Sequence, residues 1–67
     1  MINYQLFKKE VKETISDLKT LGYTDESYSV QRLNNIYNVI YNIRTNQREL
    51  EQEYRSFVKF RNYTYSL

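Results

Sequence analysis

The sequence predicts an all-α fold, a helical hairpin of one short and one long helix. Three observations carry this. Apolar residues recur in steps of three and four, first from Tyr4 to Leu21 and again from Leu33 to Phe57. The chain has no Pro and a single Gly, Gly22, which stands between the two stripes. The second stripe, Leu33, Ile36, Ile40, Ile43, Gln47, Leu50, Tyr54, Phe57 and Arg61, alternates its steps as a heptad seam does.

The first helix is expected over about residues 4–21. Asn3 is a good N-cap, because its side-chain oxygen can accept from the free N–H groups of the first turn. Tyr4, Phe7, Val11, Ile15, Leu18 and Leu21 fall on one face, with Lys8, Lys9, Lys12, Glu13, Asp17 and Lys19 on the other. Gly22 suits the left-handed residue that closes a helix, with Tyr23 folding back on Leu18.

The long helix is expected over about residues 27–61. Thr24 or Ser27 can cap it, and Asp25 and Glu26 suit its first turn through the helix dipole. Asn34, Asn35, Asn38, Asn42 and Asn46 are poor helix formers, so packing must hold this stretch together. Glu51 and Arg55 form a favourable i,i+4 pair. Residues 62–67 are expected as a frayed or docked tail of a single domain spanning 1–67.

Length then argues for association. At 1.5 Å per residue the first helix spans roughly 27 Å and the second roughly 50 Å. Leu50, Tyr54, Phe57, Val58 and Phe60 lie beyond the reach of the first helix. A patch of that kind marks an interaction site, and a homodimer forming a four-helix bundle or coiled coil would bury it. Gln47, at the centre of the seam, joins these five as an expected oligomer interface, where a polar residue can fix register. A 67-residue chain is marginal alone, and without Cys it has no disulfide to help it.

Composition narrows function by elimination. With no His and no Cys, the commonest catalytic bases, thiol nucleophiles and zinc ligands are missing. Glu10 with Glu13, and Glu49 with Glu53, are carboxylate pairs on helix faces shared with Lys and Arg. No Gly-rich loop can cradle a phosphate. The expectation is therefore a non-enzymatic protein, with no cofactor, no metal site and no small-molecule substrate. No apolar run approaches a membrane span, and the start of the chain lacks the pattern of a signal peptide, so a cytoplasmic protein is expected.

Charge is uneven. Residues 1–27 hold four Lys against five acids, a balance of −1, while residues 28–67 hold five Arg and one Lys against three Glu, a balance of +3. Tyr37, Tyr41, Arg44, Arg48, Arg55 and Lys59 follow one another along the long helix, and no acid occurs between Glu26 and Glu49. Tyr and Arg are frequent at binding hot spots, and Arg with Tyr can also grip phosphates and stack on bases. These six are the expected partner-binding residues. The leading expectation is a small regulator or inhibitor that occludes a larger protein, and the alternative is a dimeric nucleic-acid-binding regulator. The richness in Tyr, Asn, Ile and Lys fits an AT-rich genome, such as that of a low-GC bacterium, its phage or a plasmid. In size and layout the expected architecture resembles the helical-hairpin dimers of the Rop type, small plasmid-borne RNA-binding regulators. Its unequal helices depart from that pattern.

Overall fold

A computed structural model describes residues 1–66. It is all-helical, with three helices where two are expected: α1, Tyr4–Thr20; α2, Tyr28–Asn42; and α3, Gln47–Ser66.

The first helix begins as its sequence requires. Asn3 Oδ1 accepts from the N–H of Gln5 at 2.8 Å and of Leu6 at 3.2 Å. The helix ends on Gly22, whose φ of 104° only glycine adopts without strain. The Gly22 N–H donates to Lys19 O at 3.1 Å and the Tyr23 N–H to Leu18 O at 3.0 Å, which satisfies two of the carbonyls a helix end leaves open. Leu21, expected on the apolar face, is instead the exposed C-cap, and Thr14 takes a buried place there. Thr14 can be buried because its hydroxyl donates to Glu10 O at 2.8 Å. At the start of α2, Ser27 holds the N-cap position, but its hydroxyl accepts from Thr24 N–H at 2.9 Å in place of capping the helix.

The expected long helix over 27–61 is not one helix. It breaks over residues 43–46, and the second half folds back. The signal for this lies in the local sequence. Asn46 Oδ1 accepts from the Glu49 N–H at 3.1 Å, and Asn46 O accepts from Leu50 N–H at 2.9 Å, so Asn46 starts α3. Asn46 and Glu49 have the residue types and spacing of a capping box. No Pro or Gly forces the break, so the reason is tertiary. Kept straight, the chain would leave Leu50 and Phe57 in water. Folded back, both are 0% exposed. Full burial of such side chains contributes roughly 1.5–3 kcal/mol each. The few helical hydrogen bonds given up at the turn are each worth about 1 kcal/mol net, and capping recovers part of that.

The three helices run up, down and up. Lys12 of α1 lies against Tyr37 of α2, and Arg32 of α2 lies against Phe60 of α3, so each sequential pair is antiparallel. Along α1 and α3, Ile2 meets Gln47, Phe7 meets Tyr54, and Asp17 meets Tyr65, so these two are parallel. Phe7, Val11 and Leu18 of α1, Val30, Leu33, Ile36 and Ile40 of α2, and Leu50 and Phe57 of α3 form one core. At its centre Phe7 packs edge-on against Tyr54, with ring centroids 5.2 Å apart, and 5.5 Å from Phe57.

Several expectations change with this geometry. Leu50 and Phe57, expected in an oligomer interface, belong to the chain's own core, and Tyr54, Val58 and Phe60 pack half-buried against it. Leu50 and Phe57 are thus covered by the chain itself, and Tyr54, Val58 and Phe60 in part. Gln47 Oε1 accepts from Ile2 N–H at 3.0 Å, so it ties the start of the chain to α3. Residues 62–66 of the tail, expected as frayed or docked, continue α3, with Thr64 5% exposed and Tyr65 OH donating to Asp17 Oδ2 at 3.2 Å. Residue 67 lies outside the described residues. A helix-cap test follows. Asn46→Ala should lower stability by about 1 kcal/mol, measured by urea denaturation, while Glu49→Gln should cost less.

Candidate functional site

The up-down-up arrangement decides which edge of α1 faces which neighbour. At 100° per residue, Tyr4, Lys8, Lys12 and Ile15 fall on one edge of α1, and Glu10 and Asp17 on the other. The basic edge turns to α2, since the Lys12 ammonium sits 5.5 Å from the Tyr37 ring centroid. The acidic edge turns to α3. There Glu10 Oε1 accepts from Tyr54 OH at 3.2 Å and lies 3.5 Å from the Arg61 guanidinium. Asp17 accepts from Tyr65. The helix is therefore charge-segregated across its own core stripe, and its carboxylates at Glu10 and Asp17 are drawn to the far side of the bundle.

The α1–α2 face is left rich in cations and tyrosine. On it Lys8 lies 5.5 Å from the Tyr4 ring centroid, Lys12 lies over Tyr37, and the Arg44 guanidinium carbon lies 4.3 Å from the Tyr41 centroid. Arg44 is further held by donating to Tyr41 O at 2.7 Å. Three cation–aromatic pairs thus share one face, and α2 contains no acidic residue. The α1–α2 connection holds two carboxylates, Asp25 and Glu26, and Asp25 is engaged by Lys19 at 2.6 Å. Tyr41 is 56% exposed and Lys12 and Arg44 are exposed, while Tyr4, Lys8 and Tyr37 are half-buried. The outer surface of α2 continues the face with exposed Gln31, Asn34, Asn35, Asn38 and Asn42. These are neutral hydrogen-bonding amides, able to donate and to accept.

Of the six expected partner-binding residues, the turn at 43–46 separates two groups. Tyr37, Tyr41 and Arg44 belong to the α1–α2 face. Arg48, Arg55 and Lys59 are exposed along the outer side of α3, in a strip with Gln52 and Asn62. One stripe along one helix has become two patches on different sides of the bundle. The residues missed are Lys12, which lies over Tyr37, and Lys8, on the same edge of α1 over Tyr4. Their segregation from Glu10 and Asp17 around the helix was the available signal, but which edge meets the second helix is a tertiary fact.

The opposite face has its own electrostatic consequence. Burial first, then the hydrogen bond and the charge of Glu10, raise the Tyr54 phenol above its ordinary pKa of 10.0, against a smaller lowering by Arg61. Partial burial likewise raises Tyr65, with the charge of Asp17 adding to it. A phenol that releases its proton less readily folded than unfolded favours the folded state fully below pH 10, and that contribution falls as pH rises through the raised value. Thermal stability should therefore decline above pH 10. Tyr54→Phe should flatten part of that decline in melting curves taken across pH, and Tyr65→Phe a further part.

Two open, shallow depressions flank the start of the chain. One is lined by Ile2, Leu6, Phe7, Glu10 and Tyr54, the other by Asn3, Tyr4, Gln5 and Gln47. Among the described residues no cluster of three or more metal-ligating side chains occurs, and no helix is long and apolar enough to cross a membrane. No protein-family model, no curated protein and no solved structure matches this chain.

Proposed function

We propose that this chain is a small non-enzymatic interaction module that binds nucleic acid through the α1–α2 face. The observation that carries the reading is the grouping of Lys8 with Tyr4, Lys12 with Tyr37 and Arg44 with Tyr41 on a face from which Glu10 and Asp17 are turned away. Cations attract phosphates, and tyrosine rings offer flat surfaces to bases. The exposed amides of α2 add donors and acceptors beside them. The mechanism is occupancy: a preformed helical surface covers its target without chemistry. The overall charge of +2 is small, but recognition depends on the local field, and locally the face is positive. A nucleic-acid partner fits a cytoplasmic site of action.

The reading as an inhibitor of a larger protein rests now on a different surface. Tyr28 and Val39 are exposed on the outer and α3-facing side of α2, where Arg32 bridges the Tyr28 hydroxyl at 3.4 Å and the Phe60 ring at 5.0 Å.

One experiment separates these readings. Tagged protein is recovered from lysate with and without nuclease, and retained nucleic acid and protein are both measured. Nucleic acid that is retained at low salt, lost at high salt and lost in Lys8→Glu/Lys12→Glu supports the proposal. A single protein retained equally in both arms, with no nucleic acid, would overturn it in favour of the inhibitor reading.

A further inference from the structure

Resting on that reading, the geometry points to single-stranded nucleic acid as the ligand of the α1–α2 face, with bases stacking on Tyr41 and phosphates held by Lys8, Lys12 and Arg44. A duplex hides the faces of its bases and offers mainly phosphates. A protein that holds a duplex through phosphates alone draws its affinity from each phosphate it neutralises. This face supplies three cations, so phosphate contacts alone give it little hold on a duplex. A single strand also exposes its bases, and each base stacked on an aromatic ring is worth roughly 1–3 kcal/mol. Three phosphates with one or two stacked bases make a workable site on a strand and a poor one on a duplex.

The layout suits a strand as well. Lys8 and Lys12 are one helical turn apart, as are Tyr37 and Tyr41, a rise of about 6 Å in each case. Because α1 and α2 are antiparallel neighbours, a row of cations runs beside a row of rings. A backbone following α1 would place its bases over α2. Arg44 already stacks on the Tyr41 ring while fixed to the Tyr41 carbonyl. A guanidinium held that way can extend a base stack and reach a phosphate with its remaining N–H groups. The amides of Asn34 and Asn38, exposed beside Tyr37 and Tyr41, offer hydrogen bonds to base edges that a duplex would keep paired.

The test is fluorescence anisotropy with labelled oligothymidylate and oligouridylate of roughly 15 nucleotides, a length within the range single-strand modules cover, against a mixed-sequence duplex of equal length. The strands should bind more tightly than the duplex. With three phosphate contacts, log K should fall against log salt with a slope of about −2. Tyr41→Ala should weaken strand binding roughly tenfold or more, the loss of one stacked base, whereas Tyr41→Phe should keep it. Tyr41 is exposed, so circular dichroism of both variants should match the parent. Equal affinity for strand and duplex, or an unchanged Tyr41→Ala, would overturn the single-strand inference and leave salt-dependent nucleic-acid binding standing. Absence of binding to all three probes at low salt would overturn both.

Discussion

Leu50→Asp should abolish the cooperative fold. Leu50 is fully buried in the core, one turn into α3. An aspartate there has no partner cation in the core, and isolated charge in an apolar interior costs several kcal/mol, or forces the carboxyl to take up a proton. A domain of this size has little margin to absorb that, since native stability is typically about 0.05–0.15 kcal/mol per residue. Loss of helical circular dichroism at room temperature is the expected result. Leu50→Met, which preserves volume, should cost under about 1.5 kcal/mol. A Leu50→Asp chain that stayed folded with an unchanged melting curve would show that α3 does not dock as described.

Phe7→Ala should be the next most damaging change, at about 3–5 kcal/mol. Phe7 is 1% exposed and its ring contacts both Tyr54 and Phe57, so it is the main apolar link between the first and third helices. Few groups near it can move into the gap, because Tyr54 is held by Glu10 and Phe57 lies under the Arg61 guanidinium at 5.2 Å. Urea denaturation of Phe7→Ala, Phe57→Ala and the double variant checks this. Because the two rings touch, the double variant should lose less than the sum of the singles. Strict additivity would mean that the aromatic cluster does not act as a unit.

How much of this could be read from the residues follows from where each signal resides. Local signals were legible. Asn3, Gly22 and Tyr23 act within a few residues of themselves, and both ends of α1 are built as their types and spacing suggest. The apolar seam was legible too: Leu33, Ile36, Ile40, Leu50 and Phe57 are all buried. What it packs against was not. A heptad pattern states that residues share a face but not whether the covering surface is another chain or an earlier part of the same one. That choice rested on the Asn46–Glu49 cap, a weak local signal inside a stretch with no Pro or Gly, set against the burial gained by folding back. The candidate site divided in the same way. Tyr37, Tyr41 and Arg44 were visible as a basic aromatic run, whereas joining them to Lys8 and Lys12 required knowing which edge of α1 turns toward α2.

The connection between α2 and α3 has a further consequence. Residues 43–46 contain nothing that forbids a continuous helix, and the apolar seam keeps its step through them. Straightened, α2 and α3 would lift Leu50, Tyr54 and Phe57 off their own Phe7 and present them to the Phe7 of a second molecule, with every core contact remade between chains. The closed chain and such an exchanged pair would share one set of side-chain contacts and differ in the backbone angles of four residues. That is the condition for domain swapping through a hinge loop. In such an exchange protein concentration and the Asn46 cap would set the balance, and the four-residue turn would serve as its hinge.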